Sequence, residues 1–162
     1  MHIYFGLGSN LGDRLQNLRD ALAKLGTLGH VRAVSSVYET PAWGGVPQPD
    51  YLNACVMIDG EFAPPELLHR VKAFEAELGR VPSIRWGERK IDIDILLIDD
   101  VVYHSPELDI PHIRIPERMF VLVPLNEIVP ECWKHPVNGK TVRGMIEGLS
   151  DDAGIVRTGS LV

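Results

Sequence analysis

Residues 79–100 read GRVPSIRWGERKIDIDILLIDD, and the second half of this stretch decides how the chain folds. Asp92 and Asp94 alternate with isoleucines, which is the pattern of a β-strand with one apolar and one polar face. Residues two apart in a strand point to the same side, so the two carboxylates are expected side by side, with Cα atoms about 7 Å apart. Such a pair suits the binding of one or two divalent cations. The alternative is a half-buried strand whose outer face is acidic.

A cationic loop leads into this strand. Residues 80–90 contain one acid, Glu88, and four cations, namely Arg80, Arg85, Arg89 and Lys90. This local excess of positive charge stands out in a chain of net charge −6. Guanidinium groups match phosphate oxygens, and Mg²⁺ held by one or two carboxylates completes its shell with water and substrate phosphates. Acids and cations this close together favour a Mg–nucleotide site, although a solvated basic loop has the same composition.

The overall composition is that of a globular protein and restricts the classes of partner. The chain has 162 residues, of which 45% are apolar and 23% charged, and this length predicts a single domain, 1–162. The net charge of −6 disfavours general binding to nucleic acid or to anionic membranes, which normally needs a basic face. Cys55 and Cys132 lack metal-ligand spacing and indicate reduced thiols. Because the sequence also shows no charged leader and no apolar run of membrane-spanning length, we expect a cytoplasmic protein.

The elements up to the acidic strand alternate in a regular order. Apolar and β-branched runs predict strands at residues 2–7, 31–39, 51–58 and 91–98. Apolar residues at helical spacing, with glycine after the last turn, predict helices at about 13–25 and 64–78. The resulting order, βαββαβ, is typical of an α+β ferredoxin-like sandwich, with an antiparallel sheet and helices packed on it.

The remaining residues are expected to form a C-terminal extension. Asp99 and Asp100 suggest the turn of a tight hairpin into a strand at 101–103, and another short strand is expected around 108–110. Helices are predicted at 117–128, with an interruption at Pro124, and at 142–149. The tail after the last helix is expected to be poorly packed.

The stretch GLGSNLG at residues 6–12 looks like a dinucleotide-binding fingerprint but has the wrong spacing. It reads GxGxxxG rather than GxGxxG, and the second strand leads to a third without a crossover helix, which argues against a Rossmann unit. No P-loop motif is found in the sequence either. We therefore interpret this segment as a tight turn that lets the first helix pack close to the sheet.

A second group of residues has the chemistry to bind a heterocycle. Residues 40–50, TPAWGGVPQPD, predict a loop, and Asn53 follows it closely. The amide of Asn53 offers a donor and an acceptor that can read the edge of a ring, while Tyr51, Trp43 or Phe120 can stack on its face. A buried asparagine satisfied by the backbone is the alternative.

His112 has the most suggestive neighbours of the histidines. It follows Pro111 and precedes the basic residues Arg114 and Arg118, which makes it a candidate for a phosphate contact or an acid. An exposed or core-satisfied histidine is the alternative. The other histidines lie on different predicted elements and give no zinc pattern.

Together these motifs resemble the signature of the 6-hydroxymethyl-7,8-dihydropterin pyrophosphokinases of the folate pathway. RWGERKIDIDILL at 85–97 contains the R-W-G-x-R-x-x-D-[LIV]-D-[LIV]-L core of that family. Further matches occur in the order of the family: GLGSNLGDR at 6–14, Y-E-T-P at 38–41, P-D-Y-L-N at 49–53, G-R at 79–80, P-H at 111–112 and R-x-F at 118–120. The resemblance therefore covers essentially the whole chain.

The resemblance implies transfer of pyrophosphate from ATP to the hydroxymethyl group of the pterin, with release of AMP. Two Mg²⁺ ions would be held by Asp92 and Asp94, and Arg80 and Arg89 would act with them in catalysis from mobile loops. ATP would be bound by Glu75, Arg85, Trp86, Arg89, Ile95, His112 and Arg118. The pterin would be bound by Thr40, Pro41, Ala42, Trp43, Tyr51, Asn53, Trp86 and Phe120. We expect a monomer whose partners are these two small substrates.

Three positions depart from the family pattern. Pro82 replaces a frequent second arginine, Ala42 a common proline, and Ile113 a frequent aromatic, so adenine contacts and loop closure are less well defined than the metal pair.

Two other protein classes share the element order. RNA-recognition modules carry interleaved aromatics and a basic residue on the third strand, which YLNACVMI lacks. A regulatory small-molecule-binding domain needs neither the aspartate pair nor the arginine cluster.

Overall fold

The computed structural model describes residues 1–41, 47–79, 89–149 and 154–162. Its strands are β1 (His2–Ser9), β2 (Val31–Val34), β3 (Ser36–Thr40), β4 (Tyr51–Asp59), β5 (Asp92–Ile98), β6 (Tyr103–His104), β7 (Asp109–Ile110) and β8 (Val156–Ser160). Its helices are α1 (Arg14–Leu25), α2 (Pro64–Glu77), α3 (Met119–Ile128) and α4 (Val142–Glu147), with a 3₁₀ turn at Ile115–Glu117. The order of elements predicted up to β5 is confirmed, with one strand divided.

The described strands form a six-stranded sheet and a separate two-stranded pair. The order across the large sheet is β5-β1-β4-β3-β8, and β2 also pairs with β4. All these pairings are antiparallel. Because β5, β1, β4 and β3 are joined through α1 and α2 in the split βαβ manner, the predicted α+β ferredoxin-like class is confirmed.

The strand predicted at 31–39 is two strands because Ser35 interrupts its ladder. The Cys55 amide donates to Ser35 Oγ at 2.8 Å, and the Ser35 amide donates to the Cys55 carbonyl at 2.9 Å. A side-chain oxygen thus replaces a main-chain carbonyl at this position. The pairing with β4 consequently changes register between β2 and β3.

Helices cover both faces of the large sheet. On one face, Ile3, Phe5 and Leu7 of β1 are buried in a core shared with α1 and α2. On the opposite face, Tyr4 is buried with Leu122 in a second core built by α3 and α4. Strand alternation therefore sends neighbouring residues of β1 into different cores. Among the described residues, no helix combines the length and apolar character needed to cross a bilayer.

The predicted hairpin between β5 and residues 101–103 is wrong, since β6 pairs with β7 instead. The Asp99 amide donates to the His2 carbonyl at 3.0 Å, and Asp99 Oδ1 accepts from the His2 amide at 3.1 Å. The turn after β5 is therefore hydrogen-bonded to the start of β1, not to a returning strand.

The predicted interruption at Pro124 is also wrong, because α3 continues through it. Pro124 has no amide to donate to the Phe120 carbonyl, and this loss weakens an isolated helix. Leu122 and Leu125, on either side of the proline, are fully buried. Packing of this apolar helix against the sheet outweighs the missing hydrogen bond, as tertiary context commonly does.

Residues 154–162 of the C-terminal tail are paired with the sheet, contrary to the expected poor packing. β8 pairs with the edge of β3, and Thr158 Oγ1 donates to the Val37 carbonyl at 3.3 Å. Every residue of β8 is exposed, but Leu161 just beyond it is only 5% exposed and joins the core of α1 and α2. One buried side chain in an exposed segment leaves no periodic pattern in the sequence. The packing of this segment could therefore not be predicted from its residues.

Candidate active site

Asp92 and Asp94, the predicted metal-binding pair, lie in rows of directly opposed residues that run from β5 across β1 to β4. Asp92 of β5 lies opposite Gly8 of β1, and Gly8 lies opposite Asn53 of β4. Asp94 lies opposite Gly6 in the next row. Residues directly opposite each other share a face, so the aspartates and Asn53 are on the same side of the sheet, the side that carries α3. Neighbouring strands are about 4.8 Å apart, which places Asn53 roughly 10 Å from Asp92 across a floor of glycine.

Gly6 lies in the strand predicted at 2–7, and β1 continues to Ser9, so Gly8, expected in a tight turn, also belongs to the strand. The turn comes later, at Gly12, where φ is 74°. A Cβ atom on Gly8 would lie 3.1 Å from Asn53 Oδ1 and 3.4 Å from the ring of Tyr51. The glycines therefore leave open the space above the sheet. The signal for the longer strand is the period-two alternation of glycine with apolar residues in FGLG, which continues to Gly8.

A cleft of about 350 Å³ opens above this floor. Its lining includes predicted residues from both halves of the site, namely Thr40, Pro41, Tyr51, Asn53, Arg89, Asp92, Asp94, His112, Arg118 and Phe120. It also includes residues for which the sequence predicted no ligand contact, namely Gly6, Leu7, Gly8, Ala54, Cys55, Arg114 and Val121. The fold thus gathers residues that are distant in the chain around one space.

Cationic groups stand beside the aspartates. Arg89 Nε lies 3.8 Å from Asp92 Oδ1, and the side chain of Arg89 is only 15% exposed. Burial lowers the pKa of Arg118, and the Asp94 carboxylate opposes that effect. An arginine remains protonated in spite of such a shift. The cleft therefore combines two carboxylates with partly buried positive charge.

The structure holds His112 as a neutral imidazole in a defined orientation. Burial lowers its pKa below the ordinary value, the Asp94 and Asp109 carboxylates act in the opposite direction, and Arg118 and Arg114 lower it further. Nδ1 of His112 accepts a hydrogen bond from the Arg114 amide at 3.2 Å, which puts the proton of the neutral ring on Nε2. His112 is therefore suited to donate a hydrogen bond rather than to carry a charge.

Arg118 and Phe120 form one wall of the cleft at the start of α3. The guanidinium carbon of Arg118 lies 5.5 Å from the centroid of the Phe120 ring, within the range of a cation–π contact. This contact orients both groups. A cation suited to phosphate and an aromatic face suited to a heterocycle are consequently adjacent.

Asn53 is buried and hydrogen-bonded to the neighbouring strand β3. It is 6% exposed, and its Nδ2 donates to Thr40 Oγ1 at 2.8 Å. This partner is a side chain, not the backbone that the alternative interpretation assumed. Because Thr40 and Asn53 both line the cleft, they present an amide and a hydroxyl in a preorganised pair.

Glu75 and Ile95, predicted to bind ATP, lie away from the lining of the cleft. Glu75 is 4% exposed, and its Oε2 accepts from the Ile93 amide at 2.9 Å, which joins α2 to β5. Ile95 is 3% exposed in the core of α1 and α2. Their contact with ATP stays a prediction. The predicted site residues Ala42, Trp43, Arg80, Arg85 and Trp86, together with Pro82, lie outside the described residues.

Known proteins with similar sequences identify the family. The model of the family described as 7,8-dihydro-6-hydroxymethylpterin-pyrophosphokinase matches residues 4–130, a range that contains all the predicted site residues. The chain belongs to this family. It is 44% identical over 156 residues to a protein of Methylorubrum extorquens named 2-amino-4-hydroxy-6-hydroxymethyldihydropteridine pyrophosphokinase, covering 95% of this chain and 96% of the relative. A protein of the same name from Aquifex aeolicus is 40% identical over 141 residues, covering 87% of this chain and 88% of the relative.

Solved structures support the fold. The chain is similar to the Plasmodium falciparum HPPK-DHPS triple mutant S436F/A437G/A613S with SDX-DHP, with a TM-score of 0.70 and 20% identity. For the wild-type protein with SDX-DHP the TM-score is 0.67 and the identity 19%. These matches cover 90% and 91% of this chain but only 41% and 43% of the solved chains, so the chain spans less than half of their length.

Family membership makes the protein an enzyme. It is an ATP-dependent diphosphokinase, a transferase of folate biosynthesis that uses ATP as co-substrate and acts on a pterin. The RNA-recognition and regulatory-domain alternatives are set aside by this match.

Proposed function

We propose that the enzyme transfers the terminal diphosphate of MgATP to the hydroxymethyl oxygen of 6-hydroxymethyl-7,8-dihydropterin and releases AMP. The observation that supports this most strongly is that the Asp92–Asp94 pair and the Asn53–Thr40 pair line one cleft, separated by the glycines of β1. A nucleotide at one end and a heterocycle at the other would have their reacting groups between them.

The proposed reaction balances without a covalent enzyme intermediate. The hydroxymethyl oxygen forms a bond to the β-phosphorus, and the bond from this phosphorus to the oxygen shared with the α-phosphorus breaks. AMP leaves with the electron pair of that bond, and the hydroxyl proton passes to solvent. Reactions of this kind need in-line positioning and neutralisation of charge more than covalent chemistry from the protein.

Asp92 and Asp94 fit a magnesium-binding role. Within the described ranges, no three side chains of His, Cys, Asp or Glu converge as a metal-binding group, so the aspartates are a carboxylate pair and not part of a protein cage. Mg²⁺ in nucleotide sites typically takes one or two carboxylates and fills its shell with waters and phosphate oxygens. We propose that Asp92 and Asp94 would hold two ions, which would supply neutralisation of phosphate charge and activation of the attacking hydroxyl.

Three described residues are proposed to hold the triphosphate. Arg89 and Arg118 supply positive charge, and His112 supplies a hydrogen bond from its neutral ring. Their burial keeps these groups in place before the substrate binds, which is the condition for strong electrostatic stabilisation. Arg80 and Arg85 are proposed to complete this charge, and Glu75, Trp86 and Ile95 to contact ATP.

The pterin is proposed to bind over β3 and β4. Asn53 and Thr40 would read the edge of the ring, since an amide and a hydroxyl supply both donors and acceptors. Tyr51 and Phe120 would contact its faces, and Pro41 closes the lining on the side of β3. Ala42, Trp43 and Trp86 are proposed as further pterin contacts.

Product analysis tests this reaction directly. The enzyme is incubated with MgATP and the reduced hydroxymethylpterin, and nucleotides and pterins are separated by chromatography. We expect AMP and the pterin diphosphate in equal amounts, and no turnover when EDTA removes the metal until excess Mg²⁺ is restored. Formation of ADP would show transfer of a single phosphoryl group, and lack of turnover with both substrates present would contradict the assignment.

We further propose that residues 1–162 act as one domain, as a cytoplasmic monomer that binds neither nucleic acid nor membranes. The net charge of −6 supports the exclusion of nucleic acid and of anionic membranes as partners. Light scattering after size-exclusion chromatography should give a mass near 18.0 kDa. A mass of twice that value would contradict the monomer.

A further inference from the structure

Asn10 is buried directly after β1, in the segment that the sequence analysis interpreted as a turn. The residue is 1% exposed. It follows the strand whose glycines form the floor of the cleft, yet it is absent from the cleft lining. Nothing in the reaction proposed above assigns it a role, so its burial and its hydrogen bonds need another explanation.

Asn10 is hydrogen-bonded to Arg89 through both its main chain and its side chain. The Asn10 amide donates to the Arg89 carbonyl at 3.0 Å, and Asn10 Oδ1 accepts from the Arg89 amide at 2.7 Å. These two bonds hold the backbone at the residue whose guanidinium lies beside Asp92. The position of Arg89 in the cleft thus depends on the end of β1.

The nitrogen of the same side chain holds the segment that leads into β4. Asn10 Nδ2 donates to Gln48 Oε1 at 2.7 Å and to the Pro49 carbonyl at 3.0 Å. The next residues of that segment include Tyr51, which lines the cleft. Because Arg89 presents an N–H and Pro49 a C=O, both are satisfied only by an amide with its oxygen towards Arg89 and its nitrogen towards Pro49.

We propose that Asn10 is a positioning residue that sets the ATP-binding and pterin-binding segments of the site relative to each other. One buried amide fixes the backbone of Arg89 and of Gln48–Pro49 at a single point, so neither segment moves without straining the other. The inference rests on the proposed function, which assigns these segments to the two substrates. It adds a residue that touches neither substrate and acts through the segments that do.

Asn10 accepts a hydrogen bond from Arg89 and donates hydrogen bonds to Gln48 and Pro49. One substitution can therefore keep the first interaction and disrupt the second. In Asn10→Asp, a carboxylate oxygen still accepts from the Arg89 amide, and the main-chain bond to Arg89 is unchanged. The donor to the Pro49 carbonyl is lost, and the carboxylate faces that acceptor oxygen, whereas the Gln48 amide can turn its nitrogen towards the carboxylate. Asn10→Ala removes all three side-chain bonds, including the one to Arg89.

Asn17 provides a matched control. It is also a buried asparagine, at 8% exposed, and its Nδ2 also donates two hydrogen bonds, to Ser9 Oγ at 3.1 Å and to the Leu11 carbonyl at 2.9 Å. These partners are the last residue of β1 and a residue just beyond it, and they belong to neither substrate segment. Asn17→Ala should therefore reproduce the loss of stability that follows from removing a buried amide, without the effect on the substrates.

The test measures steady-state constants for both substrates, together with equilibrium binding of the pterin and the thermal midpoint. For Asn10→Asp we expect the KM and Kd for the pterin to rise about tenfold, because the bond to the Pro49 carbonyl is replaced by repulsion between two oxygens, with the KM for ATP changed less than about twofold. For Asn10→Ala we expect both KM values to rise and kcat to fall. Asn17→Ala should lower the midpoint and leave both KM values unchanged.

The outcomes separate this inference from the proposed function. If the wild-type enzyme does not form AMP from the two substrates, the proposed function fails. If the wild type is active but Asn10→Asp has wild-type constants, or raises both KM values equally, the positioning role is overturned. An Asn17→Ala variant that raises the KM for the pterin as much as Asn10→Asp does would also overturn it, because the effect would then be one of general stability.

Discussion

At the scale of single residues, the surroundings of Asp92 and Asp94 depend on the residues that lie opposite them in β1. Gly8 and Gly6 carry no side chains there, so the carboxylates face open space and the neighbouring cations of the cleft. Arg89 lies beside Asp92, and the charge of Asp94 acts on Arg118. A solvent-facing acidic strand has no such surroundings. The local environment therefore supports a metal-binding role more directly than the D-x-D pattern alone.

Replacing one aspartate tests that role. Asp94→Ala is expected to lower turnover by about a thousandfold or more, on the scale of removing a preorganised charge-stabilising group, while the fold persists. AMP release and the circular dichroism spectrum are measured together. Asp100→Ala, in the exposed turn after β5, is the control and should keep full activity. Wild-type turnover by Asp94→Ala would show that the acids form only a solvent-facing surface.

His112 links the electrostatics of the site to the pH dependence of stability. Its pKa is lowered in the folded state, so the unfolded chain binds more protons below the ordinary value of about 6.5. The free energy of unfolding is therefore expected to fall as pH decreases from about 6.5 through the lowered pKa, and to gain nothing from this residue above that window.

Urea denaturation at several pH values checks this dependence. The loss of stability on acidification should be smaller in His112→Asn than in the wild type, because the variant has no imidazole to protonate. His135, whose pKa burial also lowers, stays in both proteins, and their difference isolates His112. His69→Asn, at an exposed position on α2, should match the wild type. Parallel profiles for wild type and His112→Asn would contradict the expectation.

At the scale of secondary-structure elements, β1 does more than pair with its neighbours. One of its faces buries apolar side chains under α1 and α2, and the other presents Gly6 and Gly8 to the cleft. β1 lies between β5, which carries the aspartates, and β4, which carries Asn53. A central strand with glycine at two successive positions of one face therefore separates the two substrate regions and gives them a common floor.

A methyl group on that floor is expected to affect the pterin region first. In Gly8→Ala the new Cβ would lie 3.1 Å from Asn53 Oδ1, and Asn53 is held in place by Thr40. We expect the KM for the pterin to rise more than the KM for ATP, with a loss of stability of about 1–3 kcal/mol from overpacking. Steady-state kinetics and urea denaturation measure the two effects.

Gly159 is the matched control for this substitution. It also lies in a strand, β8, but a Cβ atom there would meet nothing within 4 Å. Gly159→Ala should leave both KM values and the stability close to those of the wild type. If Gly8→Ala behaves in the same way, the close approach at the floor is not important for pterin binding.

At the scale of the whole molecule, the C-terminal residues complete the sheet and one of its cores. The family model ends at residue 130, yet β8 covers the edge of β3, and Leu161 fills a position in the core of α1 and α2. β3 ends at Thr40, which lines the cleft, so this distant segment supports the strand that carries a site residue. An unpaired edge would also expose β3 to association with other chains.

Shortening one side chain measures the contribution of this segment. Leu161→Ala is expected to lower the free energy of unfolding by about 2–5 kcal/mol, as for other buried leucines. Val162→Ala is the control, since Val162 is 88% exposed and should change stability little. Equal midpoints of denaturation for the two variants would mean that the tail contributes little to the core.

Much of the site was predictable because its motifs are local. The spacing of Asp92 and Asp94, the helix of α1 and the order of the elements follow from periodicities of two and 3.6 residues. The errors came where local signals compete with packing. Pro124 is a helix breaker in isolation, Leu161 is the one buried residue among residues 154–162, and the turn at Asp99 is hydrogen-bonded to His2, 97 residues earlier in the chain.

The sequence by itself determined that one strand carries two adjacent carboxylates, that a cationic loop precedes it, and that the chain has the βαββαβ order and the motifs of its family. These properties depend on neighbours along the chain. Only the tertiary structure decided that Gly8 separates Asp92 from Asn53 and that Asn10 joins Arg89 to Pro49. The physical reason is that such contacts depend on strand register and loop closure between residues far apart in the chain, for which a single sequence carries no local pattern.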